Sequence, residues 1–375
     1  MAQTLRVGVV GAGLGGTAAA GLLQRAGFDV ALYEQAPAFA RLGAGIQFGP
    51  NVMKIMRRLD VEKKIEDVSC HPDYWFSRKW DDGACLSHIP LNAEYDRYGA
   101  TYITIHRGDV HAIMTDAVAP EAIRFGKKLV DFQETAKNVV LIFEDGTADT
   151  VDVLVGADGL NSRVREKLLG PEEPLFTGWV AHRGILPMDK LAGLDFEPCV
   201  KWWSDDRHMM AYQLDGTGKE FYFVTGEPAE SWPTNMPWVP STRDAMRESF
   251  KGYHPLIQAY IDVADTITKW PLYTRKPLPL WHRGRVVLLG DACHPMKPHM
   301  AQGAAMAIED AAMLTRCMSE LGTDNLEYTF EVYRQNRVER ATRVQQVSNA
   351  NTFLRQQEDP YWVYGYDIYS HPLAQ

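Results

Sequence analysis

The chain has 375 residues, of which 46% are hydrophobic, and a net charge of −9, so it can bury a large core and is long enough for two domains. The acidic balance and the lack of a long Lys/Arg run argue against nucleic acid or an anionic membrane as a partner, and no signal-peptide pattern or transmembrane-length apolar stretch is present. Five scattered cysteines without a C-x-x-C pair favour neither a disulfide framework nor a metal site, and we therefore expect a cytoplasmic protein without a resident metal.

A βαβ unit opens the sequence. Residues 5–10 form a short apolar run that predicts a strand, and an Ala/Leu-rich helical pattern follows over residues 17–26. Residues 29–33 predict the second strand. This order is typical of a parallel sheet that binds a nucleotide.

The connection between the first strand and the helix carries the glycines of a G-x-G-x-x-G motif: Gly11, Gly13, Gly15 and Gly16. Glycine there permits a tight turn and a close approach of the backbone to a pyrophosphate at the helix N-terminus. Glu34 ends the second strand about 20 residues further on, where a carboxylate can accept both ribose hydroxyls of an adenosine. We expect Glu34 and its neighbour Gln35 on the adenosine side of a dinucleotide, which this motif alone does not identify as FAD or NAD.

Further α/β elements follow this unit. Residues 102–129 predict a strand, a helix and a strand, and residues 139–143 predict a hairpin that leads into a strand over 150–155. The sequence pattern then changes. Residues 176–270 contain aromatic-rich stretches with strand-like alternation, separated by Gly, Pro and Asp turns. This segment predicts a sheet-based second domain.

The chain then returns to the first sequence pattern. Residues 285–289 predict an apolar strand, followed by two long helical patterns over residues 302–321 and 325–353. An aromatic tail over residues 361–369 ends the sequence. We expect the tail to pack against the rest of the chain or against a partner subunit, in a monomer or a homodimer.

Two motifs after predicted strands identify a family. Asp158 begins D-G-L-N-S-R-V-R after the apolar residues 151–156, and Asp291 lies in G-D-A-C-H-P after residues 285–289. Together with the glycine motif, in this order, they resemble the three fingerprints of the p-hydroxybenzoate hydroxylase family of flavoprotein monooxygenases. The resemblance covers nearly the whole chain and implies an aromatic hydroxylase with FAD as cofactor and NADH and dioxygen as co-substrates.

The same resemblance implies an α/β fold, in which a Rossmann-like FAD-binding domain carries an inserted sheet-based substrate domain. We expect the FAD-binding domain to be discontinuous, and the boundaries are 1–70, 100–175 and 275–355 for FAD binding, 71–99 and 176–274 for substrate binding, and 356–375 for the tail. No second glycine fingerprint is present, so NADH is expected to dock transiently.

Asp291 and the loop over residues 298–303 are expected at the flavin. A carboxylate at a strand end can accept a hydrogen bond from a ribitol or ribose hydroxyl. The loop opens a helix at Gln302 and Gly303, whose free N–H groups stabilise negative charge on a reduced flavin ring. The alternative for Asp291 is a helix cap or turn residue.

The resemblance implies three further cofactor contacts. It places Arg107 against the flavin, the backbone near Leu129 on the adenine side, and Asp158 at the pyrophosphate. The alternatives are a surface ion pair for Arg107 and an ordinary helix N-cap for Asp158.

The substrate class also follows from resemblance to members of this family. The residues that resemble them are 196–210, 297–300 and 348–351. This resemblance implies a hydroxy-aromatic acid, 6-hydroxynicotinate, that is hydroxylated at the carbon bearing its carboxylate and so loses carbon dioxide. A salicylate-type hydroxylase, a flavoprotein without oxygenase activity and an NAD-dependent dehydrogenase remain alternatives.

Candidate catalytic residues come from three segments. His208 and Tyr212 are four residues apart, which puts both on one face of a strand, where they can together address the hydroxyl or the carboxylate of a substrate. His299 follows Pro298 in the flavin loop, and histidine suits proton transfer near neutral pH. The resemblance implies that Gln47 lies in the loop that borders flavin and substrate in this family, although glutamine cannot act as a base.

The expected pocket walls are Cys199, Trp202, Met210 and Pro298. Cys199 is expected to shape the pocket rather than to act as a nucleophile, since the reaction needs no covalent enzyme intermediate. A lone histidine is more often structural than catalytic, and this alternative stays open for His208 and His299.

Overall fold

The computed structural model of the chain describes residues 5–41, 44–278 and 280–374. Short β-branched and apolar runs form the strands. In chain order the strands are β1 (Arg6–Val10), β2 (Asp29–Tyr33), β3 (Gly45–Phe48), β4 (Tyr74–Lys79), β5 (Cys85–Pro90), β6 (Ile103–His106), β7 (Ile123–Arg124), β8 (Leu129–Glu134), β9 (Val139–Phe143), β10 (Ala148–Val151), β11 (Val153–Gly156), β12 (Leu175–Pro187), β13 (Cys199–Trp203), β14 (His208–Gln213), β15 (Glu220–Pro228), β16 (Val239–Ser241), β17 (Thr266–Thr274), β18 (His282–Arg283) and β19 (Val286–Leu288).

The helices pack around these strands. In chain order they are α1 (Leu14–Arg25), α2 (Pro50–Arg58), α3 (Glu62–Glu66), α4 (Tyr95–Tyr98), α5 (Arg107–Thr115), α6 (Arg163–Leu169), α7 (Arg243–Ser249), α8 (Pro255–Val263), α9 (Gly303–Glu320), α10 (Leu326–Ala350) and α11 (Tyr361–Tyr364). The two long helices near the end of the chain match the predicted patterns, but α10 stops earlier than expected. Asn351 takes a left-handed conformation, φ +54°, and ends the helix there.

One sheet has six strands in the order β18-β19-β11-β1-β2-β7. All neighbours run parallel except β18 and β19, so the carboxyl ends of β1, β2, β11 and β19 meet at one edge. In such a sheet the ligand binds outside the carboxyl ends of the strands. Helices α1 and α9 pack against each other beside this edge.

The predicted strand over residues 150–155 is two strands rather than one. Residue Asp152 separates them, and its carboxylate accepts a hydrogen bond of 2.8 Å from the Arg6 backbone N–H. Strand β10 pairs with β9 in a small three-stranded sheet, whereas β11 joins the parallel sheet. The apolar alternation continues across the break because Val151, Val153 and Val155 are all buried.

A second large sheet has eight strands in the order β16-β17-β12-β15-β14-β13-β4-β5. Strands β4 and β5 come from early in the chain and pair with β13 of the aromatic-rich segment, β4 in a parallel sense. One face of β13 and β14 packs with helices α7 and α8 in a separate apolar cluster. The other face looks toward the six-stranded sheet.

The aromatic tail packs on its own chain. Tyr364 is 1% exposed, lies edge-on to Tyr102 at a ring-centroid distance of 5.4 Å, and belongs with Ile368 to the main core. A partner subunit is therefore not needed to bury Tyr364 and Ile368 of the tail.

The described residues lack both a membrane-spanning helix and a metal-binding cluster. Among residues 5–41, 44–278 and 280–374 there is no helix with the length and apolarity needed to cross a bilayer. The same residues include no group of three or more His, Cys, Asp or Glu side chains arranged to hold a metal ion.

Candidate active site

Two cavities follow the carboxyl ends of the parallel strands. The glycine-loop cavity, about 460 Å³, is lined by Gly11, Gly13, Glu34, Gln35, Leu129 and Asp158 among others. The central cavity, about 290 Å³, lies between the two large sheets and is lined by Gln47, Arg107, His208, Tyr212, Asp291 and His299 among others. The predicted cofactor residues are thus divided between two neighbouring spaces.

The glycine loop has the geometry of a pyrophosphate cradle. Gly11 has φ +99°, and a Cβ on Gly16 would lie 1.8 Å from the Gly11 carbonyl oxygen, so both positions require glycine. Gly13 precedes the first turn of α1, and no described atom lies within 4 Å of where its Cβ would be. A Cβ on Gly15 would lie 2.8 Å from Cβ of Ala307, so this glycine permits α1 to pack on α9.

Glu34 connects the glycine loop to the end of β2. Its carboxylate accepts hydrogen bonds from the backbone N–H of Ala12 at 3.0 Å and of Ala36 at 2.8 Å. A carboxylate has about four lone-pair sites, so acceptor capacity remains for ribose hydroxyls. The open space at Gly13 and this remaining capacity fit the adenosine and pyrophosphate of FAD.

Asp158 has a mainly structural environment. Its Oδ2 accepts from the backbone N–H of Arg163 at 2.7 Å and of Val164 at 3.1 Å, at the first turn of α6. Ser162 Oγ donates to Oδ1, and burial raises the pKa of the carboxyl. The structure therefore shows the helix-capping arrangement for Asp158, which also lines the glycine-loop cavity.

The polar groups at one wall of the central cavity are free to meet a ligand. Among the described residues no hydrogen bond involves the Asp291 carboxylate, and no carboxylate forms an ion pair with Arg107. Gly303, the first residue of α9, also lines the cavity. The guanidinium and the helix N-terminus fit the polar edge of a flavin ring, and the carboxylate can accept a hydrogen bond from a ribitol hydroxyl.

Gln302 does not present its side chain to this wall. Its Oε1 accepts a hydrogen bond of 3.1 Å from Asn51 Nδ2, and the residue is 2% exposed. The amide thus fixes the loop before α9, so any contact of Gln302 with a flavin is through its backbone.

Strand β14 supplies the opposite wall of the central cavity. His208, Met210 and Tyr212 alternate onto the cavity face, while Met209 and Ala211 pack in the apolar cluster behind the sheet. The loop before α9 adds Pro298 and His299, and the rings of His208 and His299 cross edge to face at 4.9 Å. Residues distant in the sequence therefore meet at one end of the cavity.

The hydrogen bonds of the two histidines determine their tautomers. Lys201 Nζ donates to Asn351 Oδ1 at 2.9 Å, so the Asn351 amide nitrogen faces His208 Nδ1, at 3.1 Å, and donates to it. The proton of neutral His208 is then on Nε2. His299 Nδ1 instead donates to the Ser348 carbonyl at 3.1 Å, which leaves a lone pair on a buried Nε2 that has no partner among the described residues.

Both histidines are neutral near pH 7. Burial, and then the positive charge of Lys201, lower the pKa of His208 and of His299 well below their usual value. One end of the cavity thus offers an N–H donor from His208 and a lone-pair acceptor from His299 at neutral pH.

The other end of the cavity presents donors. Gln47 Oε1 accepts a hydrogen bond of 2.7 Å from the Tyr102 hydroxyl, so the amide N–H groups of Gln47 are available to a ligand. Burial raises the pKa of Tyr212 well above 10 and that of Tyr222 to about 12, so both hydroxyls stay protonated. This end suits an oxygen atom that carries negative charge.

Two of the four predicted pocket walls do not line the cavity. Trp202 lies on the opposite face of β13, in the cluster behind the sheet, and stacks on His254 at 4.8 Å. The prediction for Trp202 is wrong because side chains alternate along a strand and Lys201 takes the cavity face. Cys199 is on the correct face but is fully buried behind Tyr212, its partner on β14, and burial keeps its thiol protonated.

Several residues of the central cavity were not predicted from the sequence. Lys201 and Arg183 line the cavity from β13 and β12, and Asn351 connects Lys201 to His208. A single lysine in the otherwise apolar run Cys-Val-Lys-Trp-Trp was the available signal, because an unpaired charge in a buried strand is rare. Asn351 lies in the segment 348–351 that contributes to the resemblance, but its role as the end of α10 and as the link between Lys201 and His208 was not predicted.

A buried ion network holds the loops below the cavity. Asp310 accepts from the Gly290 backbone N–H at 2.9 Å, from His294 Nε2 at 2.6 Å and from Arg337 Nε at 2.7 Å. Arg337 also donates to Glu309, whose other oxygen accepts from Asn51. The network ties the turn that carries Asp291 to the helices α9 and α10.

Comparison with known proteins identifies relatives along the whole chain. The family model described as "FAD binding domain" matches residues 4–348. The chain is 54% identical to 6-hydroxynicotinate 3-monooxygenase of Pseudomonas fluorescens over 378 residues, covering 100% of this chain and 98% of that protein. It is 56% identical to the protein of the same name from Bordetella bronchiseptica, covering 99% and 97% of the two chains.

A solved structure shares the architecture. The structure described as a salicylate hydroxylase substrate complex superposes with a TM-score of 0.84 at 27% identity, over 98% of this chain and 97% of that one.

Proposed function

The chain belongs to the FAD-binding family of flavoprotein monooxygenases, and from this we propose that it converts 6-hydroxynicotinate, NADH and dioxygen into 2,5-dihydroxypyridine, carbon dioxide, NAD⁺ and water. The family confirms the predicted fold and the FAD cofactor, and it replaces the dehydrogenase alternative. The choice of substrate depends on one observation. The chain is more than 50% identical in sequence, over nearly its full length, to two enzymes named for this reaction. The carboxylate substrate consumes two protons in the balanced reaction.

FAD, once bound and reduced by NADH, supplies one oxygen atom of dioxygen to the substrate ring. We propose that Gly11, Gly13 and Glu34 hold its adenosine and pyrophosphate, that Arg107 contacts its flavin ring, and that Asp291 accepts a hydrogen bond from a ribitol or ribose hydroxyl. The open space at Gly13 and the free hydrogen-bonding capacity of Glu34, Arg107 and Asp291 support the assignment. The N–H groups at Gly303 then stabilise negative charge on the reduced ring.

Gln47 and Tyr212 act on the hydroxyl of the substrate. Their N–H and O–H groups donate to the oxygen on C6 and stabilise its deprotonated or keto form. Electron density then rises at C3, which is para to that oxygen and carries the carboxylate. Neither side chain is a base at neutral pH, so these residues stabilise the deprotonated substrate but do not remove the proton of its hydroxyl.

His208 and His299 act at the carboxylate. The Nε2–H group of His208 donates to the substrate carboxylate. The negative charge of that carboxylate favours protonation of the adjacent His299 at Nε2. Met210 and Pro298 provide apolar walls that exclude water from the reacting carbon. The pair thus holds the group that departs as carbon dioxide.

We propose an FAD-binding domain over residues 1–70, 100–175 and 275–355, a substrate-binding domain over 71–99 and 176–274, and a tail over 356–375. The six-stranded sheet provides the FAD side of the site, and the eight-stranded sheet provides the substrate side. We further propose a cytoplasmic role in nicotinate degradation, which the proposed substrate and the free cysteines of the described residues support.

The test uses purified holoprotein in air with NADH or NADPH and a panel of 6-hydroxynicotinate, salicylate and 3-hydroxybenzoate. We expect NADH oxidation to accelerate with 6-hydroxynicotinate, with equal amounts of 2,5-dihydroxypyridine and of labelled carbon dioxide from a carboxyl-labelled substrate. Faster turnover and product formation with salicylate would transfer the function to a salicylate-type hydroxylase. FAD binding without hydroxylation of any acid in the panel would contradict the proposal as a whole.

A further inference from the structure

Lys201 is a buried lysine in the wall of the central cavity. It is 1% exposed, and its Nζ donates to Asn351 Oδ1 at 2.9 Å and to the His299 carbonyl at 3.3 Å. The ammonium also lies 3.9 Å from the centre of the Trp203 ring. An ammonium carries three N–H donors, so these two hydrogen bonds leave one donor for another acceptor.

The groups around Lys201 are basic. His208 and His299 face it across the cavity end, Lys297 lies in the same loop as His299, and Arg355 is the nearest cation on the tail side. Within the part of the chain that the structure describes, no Asp or Glu oxygen lies within 4.0 Å of the Lys201 or Lys297 ammonium. A buried cation without an anion is unfavourable, because desolvation is not offset by a counter-charge.

Burial and the charge of Arg355 accordingly lower the pKa of Lys201 well below its usual value. Other buried cations of this chain are compensated: Arg337, for example, pairs with Glu309 and Asp310. The end of the cavity next to Lys201 therefore differs from the rest of the core, because its basic groups have no acid.

We propose that Lys201 is the cation that recognises the carboxylate of the substrate. The proposal rests on the function given above and adds to it a specificity-determining residue. The ligand supplies the missing negative charge, and the spare N–H of Lys201 donates to a carboxylate oxygen beside the Nε2 proton of His208. A charged hydrogen bond of this kind distinguishes an acid from its neutral amide by about 10- to 100-fold.

Binding to the oxidised holoprotein, measured by the change in flavin absorbance, tests the proposal without turnover. The two ligands are 6-hydroxynicotinate and 6-hydroxynicotinamide, which differ in charge and share the ring and hydroxyl. We expect Lys201→Gln, which keeps a donor but removes the charge, to weaken binding of the acid by at least about 30-fold and of the amide by less than about threefold. Lys201→Arg keeps the charge and should retain more of the preference for the acid.

Arg355→Gln is the matched control. Arg355 lies over the same Trp203 ring at 5.5 Å but does not line the cavity, so its loss should change both affinities by less than about threefold. Equal losses for acid and amide in Lys201→Gln would show a structural role, and an equal loss of acid binding in Arg355→Gln would show a general charge effect. Either result overturns the proposal.

The unmodified protein provides a check if Lys201→Gln does not fold. A wild-type preference for the acid below about threefold contradicts a carboxylate-recognising cation. The outcome is independent of the proposed reaction, since a strong preference for the acid that depends on Lys201 can coexist with a failure to hydroxylate it. In that case the substrate assignment is wrong and the role of Lys201 stands.

Discussion

Gly226→Ala should strongly reduce product formation by moving His208. Gly226 pairs with His208 across β15 and β14, and a Cβ at this position would lie 2.2 Å from His208 Cε1, 2.9 Å from Nε2 and 3.0 Å from Nδ1. Carbon atoms in contact are about 3.5 Å apart, so the ring has to retreat by about 1 Å. The ring centroids of His299 and Trp203 lie 4.9 and 5.8 Å from that of His208, which leaves little room for that movement.

A displacement of about 1 Å at a reacting group costs about 100-fold in rate, and the overpacking itself costs about 1–3 kcal/mol of stability. We therefore expect product formation to fall by about 100-fold while FAD stays bound. The measurements are kcat, the fraction of NADH oxidation that yields product, the flavin spectrum and the melting temperature.

Gly184→Ala in the same sheet is the control for overpacking. Its Cβ would lie 2.7 Å from Phe223 Cε1 and Cζ, in the apolar cluster behind the sheet. This variant should lose comparable stability and keep its coupling of NADH oxidation to product. A Gly226→Ala protein with kcat within about threefold of the wild type would refute the role of the His208 ring in positioning substrate.

Three further predictions concern the histidines, the FAD site and the ion network. For His208→Ala and His299→Ala, we expect at least one to lose product formation far more than FAD binding, measured as product per NADH, and two fully coupled variants would contradict the assignment. Glu34→Ala removes an acceptor that holds Ala12 and Ala36, so the FAD dissociation constant in a fluorescence titration should rise by about 10- to 100-fold; an unchanged constant would exclude Glu34 from the site. Arg337→Met leaves Glu309 and Asp310 buried without this cation and should cost about 3–5 kcal/mol of unfolding free energy by denaturant titration. Burial opposes ionisation of Asp310, but His294 and Arg337 lower its pKa from 3.8 to about 2. The ionised carboxylate therefore stabilises the folded protein above pH 4, and this contribution to the free energy of unfolding is lost as the pH falls toward 2. The deficit of Arg337→Met should therefore shrink in that window, and a deficit that stays constant with pH would contradict this account.

The central elements of the fold could be predicted because their sequence signals are local. The tight turn between the first strand and the helix needs the glycines of the G-x-G-x-x-G motif. The common face of His208, Met210 and Tyr212 follows from the pleat of a single strand. Asp158 shows the limit of such signals, since the same acidic residue at a strand end suits a cofactor contact and a helix cap.

By itself, the sequence determined the βαβ opening, the glycine turn, the acidic end of β2 and the common face of His208 and Tyr212, because short-range backbone geometry decides each of them. Only the tertiary structure decided that Trp202 faces away from the cavity, that Asn351 ends α10 beside His208, and that Lys201 lies among basic groups without an acid. These features depend on which residues of distant elements meet when the two sheets pack. No periodicity along one segment encodes that contact, since burial and charge compensation are properties of the assembled core.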